Sequence, residues 1–457
     1  MAAEFQSIPF DPGDARAALR QLPEKSAVFA LYGEAANAEP YIGRTPNLRG
    51  RLERLLLPSP KHPRRLQLAG RVRRIEWRLT GSEFESLLAQ FTLLEEVYGA
   101  KALERMHLGA PSFVRFLGSN RYPRVTVTNR PSQREADWAY GPFASRAAAE
   151  RFADEALKLF LLRRCIEELD PNPSHPGCVY SEMKMCLAPC YQGCTDERYA
   201  EESAAVEHFM ATRGESRLVQ LRTQRDQASA NLEFESAAAI HAQVQRAEAV
   251  RALAPEIVRP MSQLRAVVLQ PPAVGPTAPS APAPEIAVFL YEGGRLRGPA
   301  MFSTLGMRIQ NEQSGSSSLF AQPMALEAVP EDQGPGTRDQ GPEEQGSGKE
   351  EEGAPADETP AAGSAKAGAK AAARAARSML EARLEAVLAE LMSKGEAPNA
   401  VIRQGHLALL KRWYYRPEVK RPGEVFFPDD DGGWPVKAIL RGIGRIAAKS
   451  LTAPAAP

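Results

Sequence analysis

From about residue 311 to 363 the chain runs through "EDQGPGTRDQGPEEQGSGKEEEGAPADETPAAG" and similar sequence, acidic, rich in Gly, Pro and Gln and poor in aromatics, before "AKAGAKAAARAARSMLEARLEAVLAELM" turns helical. A segment of that composition cannot bury enough apolar surface to offset the entropy lost on ordering it. It is expected as a disordered linker. The folded part must then be assembled from the residues before and after it. At 457 residues the whole chain exceeds one ordinary hydrophobic core, and two or three domains are expected.

Residues 1–20 carry few apolar anchors and are expected as a leading arm. "AVFALY" and "PYIG", joined by the polar turn "GEAANAE", read as a β-hairpin. In "PNLRGRLERLLL", Leu48, Leu52, Leu55 and Leu56 are spaced for one helix face. "RIEWRLTG" reads as a strand. "SEFESLLAQFTLLEEVYG" reads as an amphipathic helix opened by Ser82 with Glu85 three residues on, the capping-box pattern. Then come a strand at "YPRVTVT", a turn and helix in "YGPFASRAAAERFADEALKLF", and strongly helical sequence from Glu197 to Leu253. "LRAVVLQ" and "EIAVFLYEGGRLRGPAMF" read as strands of a second small sheet. Beyond the linker, Leu380, Leu384, Leu388 and Leu391 make one apolar helical stripe. The expected fold class is α+β. It comprises a small mixed domain (20–105), a connector with a Cys-rich region (106–196), a helical hairpin (197–255), a truncated β segment (256–310), the linker (311–375) and a helical tail (376–457).

Lys and Arg number 57 and Asp and Glu 56, so net charge gives no hint of nucleic acid and charge must be read by segment. The N-terminal residues contain no apolar core of a signal peptide, and no run of about twenty apolar residues exists. A cytoplasmic protein without a membrane span is expected. All five cysteines fall between Cys165 and Cys194, spaced C-x12-C-x7-C-x3-C-x3-C. Clustered thiolates in a reducing compartment point to zinc or an iron–sulfur cluster, and the lack of C-x2-C knuckles weighs against zinc.

The order of these signals carries a resemblance. "AVF" and "YIG" followed by "RTPNLRGRL" are similar to the two short motifs of the GIY-YIG nuclease module. "YGPFASRAAAERFADEALKLFLLRRC", "CVYSEMKMCLAPC" and "NLEFESAAAIHAQV" follow in turn. Over about residues 20 to 305 the chain resembles the N-terminal half of the UvrC family, the nuclease subunit of bacterial nucleotide-excision repair. The resemblance implies a GIY-YIG endonuclease domain, a cysteine-bearing insert and a UVR-motif helical hairpin.

In that family the two motif tyrosines flank the attacking water, a Lys and an Arg support the phosphate, and a Glu is the protein ligand of a divalent metal. Here Tyr41 keeps the second tyrosine, Arg51 keeps the helix arginine, and Arg44 stands for the lysine. Phe29 replaces the first tyrosine without its hydroxyl, Leu55 stands where Tyr or His is common, and Gln90 replaces the metal Glu. An uncharged amide removes the anionic protein contact of a hard cation such as Mg²⁺ or Mn²⁺. The centre is therefore expected to be impaired, with a metal relevant only if it is active. Glu85 and Glu95, five residues to either side of Gln90, are expected to face elsewhere.

Arg44, Arg49, Arg51 and Arg54 lead a locally basic face with Arg64, Arg65, Arg71, Arg73 and Arg74, suited to DNA phosphates. The family's [4Fe–4S] cluster implies ligation by Cys165, Cys178, Cys186 and Cys190, with Cys194 spare. The UVR resemblance implies a UvrB-like partner, with Leu221, Ala228, Leu232, Phe234, Ala237 and Ala238 packing the hairpin and Leu232, Phe234, Ala237 and Ala238 at the contact. No counterpart is visible for the family's ribonuclease-H-like carboxylates or helix-hairpin-helix repeats. The expected function is DNA binding in nucleotide-excision repair with an impaired single-site incision centre. The alternative is a non-catalytic scaffold or regulator that binds DNA and partners.

Overall fold

A computed structural model of the chain describes residues 5–35, 38–58, 68–273, 284–307, 361–393 and 398–452. It is α+β, with three four-stranded antiparallel sheets and helices around them. The linker expectation over 311–360 lies outside the described residues, as do Arg64 and Arg65. No described helix is long and apolar enough to cross a membrane.

The first sheet contains β1 (Gln6–Pro9). Helix α1 (Ala15–Arg20), β2 (Ala27–Tyr32), β3 (Tyr41–Thr45), α2 (Leu48–Leu56), β4 (Arg74–Leu79) and α3 (Glu83–Tyr98) follow. The strand order is β1-β4-β2-β3. Residues 1–20 are thus more than an arm: β1 pairs with β4, and Ala15 and Leu19 enter the core. Strand β2 is apolar throughout because both its faces are covered. Ala27, Phe29 and Leu31 point to α1 and α2, while Val28 and Ala30 point to Ala89 and Leu93 of α3. Leu48, Leu52, Leu55 and Leu56 are all buried, as their spacing requires. Asn47 caps α2 by accepting from the Gly50 N–H at 2.8 Å. Ser82 caps α3 by accepting from the Glu85 N–H at 3.1 Å, but the buried Glu85 carboxylate returns to the Gly81 N–H at 2.8 Å rather than to Ser82.

A short helix α4 (Ala102–Arg105) leads to the second sheet, built from β5 (Ser112–Phe116), β6 (Val125–Thr128) and β7 (Ala139–Phe143). Residues Ala139–Phe143, expected as a turn, form a strand. Gly141 makes this possible, since a Cβ there would lie 2.9 Å from the Ser112 carbonyl oxygen of the neighbouring strand. Helix α5 (Arg146–Leu157) follows, then the cysteine segment with its single turn α6 (Val179–Glu182). Helices α7 (Asp196–Ala211), α8 (Glu215–Ala230) and α9 (Phe234–Ala252) come next, and α8 and α9 are the expected hairpin. Strand β8 (Arg259–Pro260) completes the sheet against β7.

The third sheet joins both sides of the undescribed segment. Strands β9 (Ala266–Gln270), β10 (Glu285–Glu292) and β11 (Arg295–Ser303) precede it. Helix α10 (Ala361–Ser393), α11 (Ala400–Tyr414), β12 (Glu424–Phe426) and α12 (Val436–Thr452) follow it. The two-residue turn Gly293–Gly294 has φ of +58° and +78°, the geometry glycine supplies in a tight hairpin. Residues 361–375, inside the linker's bounds although the sequence reads as helical from Ala365, are the first turns of α10. Leu380, Leu384, Leu388 and Leu391 are buried in the core between this helix, the sheet and α12. Strand β12 pairs with β9, so the expected tail and the expected truncated β segment are parts of one unit. Helix α11 also packs on α3: the Phe91 and His406 rings lie 5.4 Å apart, and Phe84 lies 5.4 Å from Trp413 and 5.2 Å from Phe289.

Candidate nucleic-acid interface

The β2–β3 ladder and the cap of α2 bring three of the expected site residues together. Tyr41 opens β3 and Arg51 lies in the second turn of α2. The Arg51 Nη2 donates to the Tyr41 hydroxyl at 3.3 Å. Phe29 faces Gly43 across the ladder, fully buried, its ring 6.1 Å from that of Tyr41. A Cβ on Gly43 would lie 2.8 Å from the Phe29 Cζ, so the glycine makes room for the aromatic ring. Leu55, at the position where a polar group is common in the resembled family, is buried among the leucines of α2.

Gln90 projects from α3 into a cleft that Tyr41 also lines, with Pro40, Tyr98, Glu104 and His107 around it. Glu104 is the one carboxylate among the lining residues, and it is exposed. His107 holds a left-handed backbone at φ +48°. Glu85 is turned into the protein toward Gly81 and Arg78, and burial raises its carboxyl above the ordinary range against the opposing pull of both. Glu95 accepts from the side chain of Asn399, the N-cap of α11, at 3.3 Å. Neither carboxylate lines the Gln90 cleft. Among the described residues, no group of three or more His, Cys, Asp or Glu side chains is set to hold a single metal ion. An amide and one solvated carboxylate do not fit a divalent cation held at Gln90.

Several arginines of the basic face have acidic partners. Arg49 is tied to Glu24 at 2.6 Å and to the Leu22 carbonyl at 2.8 Å. Arg73 pairs with Glu34 at 3.4 Å and Arg74 with Glu76 at 3.2 Å. Arg54 is exposed at the end of α2. Arg44 donates to Glu83 at 3.3 Å, and Glu83 also takes both Arg416 nitrogens, at 2.5 and 2.7 Å. The Arg416 hydrogen bond, aided by the charges of Arg416, Arg44 and Arg412, holds the Glu83 carboxyl below the usual carboxylate range against burial. Sequence reading missed Glu83, Arg416 and Arg412. Glu83 in the first turn of a helix resembles ordinary dipole complementation, and nothing local links it to a residue 333 positions away.

The cysteine segment winds back on itself. Ala188 and Gln192 take left-handed backbones on either side of Cys190. All five cysteines are free thiols. Burial raises the Cys186 thiol, a backbone N–H at Ala188 opposes this, and Cys178, Cys190 and Cys165 add mutual repulsion. Cys190 is likewise raised by burial and by Cys178 and Cys165. Burial raises the Cys194 thiol, with Asp196 and Cys190 adding to this and Arg198 opposing it. The buried Arg163 donates its Nε to the Cys165 sulfur at 3.1 Å.

At the tip of the α8–α9 hairpin the expected packing is corrected. Leu221 and Ala228 are buried between the helices, but Leu232 is 72% and Phe234 65% exposed, and Ala238 is also exposed. Leu232 has φ +61° in the tight turn, which lifts its side chain off the hairpin. Val244, Ala247 and Leu218 close the core of the hairpin instead.

Residues 113–209 match the middle domain of the UvrC/Cho excinuclease family. The chain is similar to a UvrABC system protein C of Alcanivorax borkumensis, 29% identical over 242 residues, which is 53% of this chain and 39% of that protein. It is also 29% identical over 231 residues to one of Ruminiclostridium cellulolyticum, covering 49% and 37%. With one of Escherichia coli O1:K1 it shares 28% over 238 residues, covering 51% and 38%. The aligned part is thus about two fifths of the length of these curated relatives. No solved structure matches.

Proposed function

We propose that this UvrC-like chain acts in nucleotide-excision repair by gripping the DNA backbone at the β3–α2 face, and that its nuclease centre does not cut. The observation that carries the reading is the cleft shared by Tyr41 and Gln90. Tyr41 and Arg51 meet on the α2 side of β3 and Arg44 projects from the α3 side of the same edge strand, while the cleft beside Tyr41 holds an amide where a metal carboxylate is required. Phosphodiester hydrolysis needs an activated water and charge stabilisation of the developing phosphorane. Buried Phe29 supplies no hydroxyl to orient that water, and Gln90 supplies no charge for a metal.

Two further roles belong to the same reading. Cys165, Cys178, Cys186 and Cys190 would hold a [4Fe–4S] cluster, with Arg163 and the backbone N–H groups near Cys186 and Cys190 offsetting its negative charge. Such a group would order the loop between α5 and α7 and supply one-electron redox chemistry. The hairpin tip, with Leu232 and Phe234 exposed, would dock a helical hairpin of a UvrB-like subunit.

The test is a cleavage assay on damaged plasmid and flap substrates with Mg²⁺ and Mn²⁺, paired with DNA binding. Binding that falls in Arg51→Ala with no cutting by the parent protein is expected. Robust cutting that Arg51→Ala abolishes would overturn the non-catalytic reading in favour of a single incision.

A further inference from the structure

The Glu83 carboxylate is shared by two guanidinium groups from opposite ends of the chain. Its Oε1 accepts from Arg44 at 3.3 Å and from Arg416 at 2.7 Å, while Oε2 accepts from Arg416 at 2.5 Å. One carboxylate cannot neutralise two arginines, so the trio keeps a net positive charge. Both guanidiniums remain partly open to solvent, with Arg44 34% and Arg416 26% exposed. A guanidinium has five donors. Arg44 gives one to Glu83 and Arg416 gives two, which leaves N–H groups on each for an incoming oxygen. The ion pairs fix the two forks in place, and a preordered fork loses less entropy on binding than a free one.

Arg412 lies four residues before Arg416, in the last turn of α11, exposed and without an ion pair to any described residue. Its charge is felt at the Glu83 carboxyl. Arg44, Arg416 and Glu83 therefore meet where β3, the start of α3 and the segment just after α11 come together, and the exposed Arg412 on the last turn of α11 adds a further positive charge four residues before Arg416.

We propose that Arg412 and Arg416 form a second phosphate-binding element, continuous with Arg44, that carries the nucleic-acid backbone from the β3–α2 face onto the C-terminal region. The inference rests on reading Arg44 and Arg51 as phosphate contacts. The ligand is a phosphodiester backbone recognised by charge, so the element adds affinity without sequence preference. It also gives the C-terminal region a function in binding DNA as well as completing the third sheet.

The experiment is fluorescence anisotropy of the full chain with a short labelled DNA duplex, repeated over a series of salt concentrations. The variants are Arg412→Ala, Arg412→Glu, Arg44→Ala and Arg51→Ala, each checked by thermal unfolding. Arg412 is exposed, so its variants are expected to fold as the parent does. Removing one arginine that neutralises a phosphate lowers the slope of log K against log salt by about 0.9. Arg412→Ala is expected to lower it by that amount and weaken binding equally on unrelated sequences, and Arg412→Glu to weaken it further. If Arg44→Ala and Arg51→Ala lower the slope but Arg412→Ala and Arg412→Glu leave it unchanged, the inference is wrong and the β3–α2 reading stands. If the Arg412 variants lower it and the other two do not, the β3–α2 reading fails while α11 remains the phosphate site. Unchanged slopes throughout overturn both.

Discussion

Gly405 of α11 lies directly against the ring of Phe91 in α3: a Cβ on Gly405 would sit 2.1 Å from the Phe91 Cζ. No side chain fits that gap, so the helix that carries Gln90 and the helix that leads to Arg412 are locked face to face. The candidate site is therefore held from behind by the C-terminal region.

Gly405→Ala is expected to destabilise the protein by up to about 2 kcal/mol, because overpacking at this distance, about 1–3 kcal/mol, outweighs the roughly 1 kcal/mol helix gain of Ala over Gly. A urea unfolding midpoint at or above that of the parent would show that the two helices are not packed this way.

His406, the next residue, is buried and accepts the Leu296 N–H on Nδ1 at 2.9 Å. Burial, with Arg295 and Arg297 nearby, pushes its pKa down to about 3. The unfolded chain binds a proton near pH 6.5 and the folded chain does not. Stability contributed by the neutral ring is therefore whole above about pH 6.5 and declines as the pH falls toward 3, by about 1.4 kcal/mol per pH unit. His406→Gln should remove this component of the acid slope. Denaturation curves at pH 6.5 and 5 for both proteins measure it, and parallel losses would contradict the assignment.

Restoring the missing groups tests the site directly. Gln90→Glu with Phe29→Tyr is expected to create Mn²⁺-dependent nicking absent from the parent. Gly43 bears no Cβ against the Phe29 Cζ, which is where a tyrosine hydroxyl would attach. A double variant that binds Mn²⁺ by calorimetry yet leaves DNA intact would mean that more than these two groups has been lost.

At the hairpin tip, Phe234→Ala should leave stability within about 0.5 kcal/mol, since the ring is largely solvated. It should weaken binding to a UvrB-like subunit by tenfold or more, about 1.4 kcal/mol, the scale of an aromatic anchor. Equal affinities by titration calorimetry would remove the hairpin tip from the interface.

Among the cysteines, Cys186→Ser should abolish iron binding and visible absorbance after anaerobic reconstitution, while Cys194→Ser should retain both. A parent protein that is colourless and carries zinc would replace the iron assignment.

The sequence by itself determined what depends on near neighbours. Helix α2 follows from four leucines on one face, α10 from four more, and the cap at Ser82 from a side chain that reaches three residues ahead. The hairpins β2–β3 and β10–β11 are legible from apolar runs around polar or Gly-Gly turns. The order of Tyr41, Arg51 and the cysteines along the chain is what carries the family resemblance.

Tertiary structure alone decided the pairings between distant segments. Strand β1 is too short and polar to announce itself and exists because β4 offers it a ladder. Strand β12 does the same on β9 across the acidic segment. The fate of charged side chains was equally hidden. Arg49 and Arg73 find partners in Glu24 and Glu34, and Glu85 bonds the Gly81 N–H in place of the Ser82 N–H its spacing indicates. Arg416 meets Glu83 over 333 residues. A hydrogen bond or ion pair depends on where its partner lies in space, and separation along the chain carries no record of it.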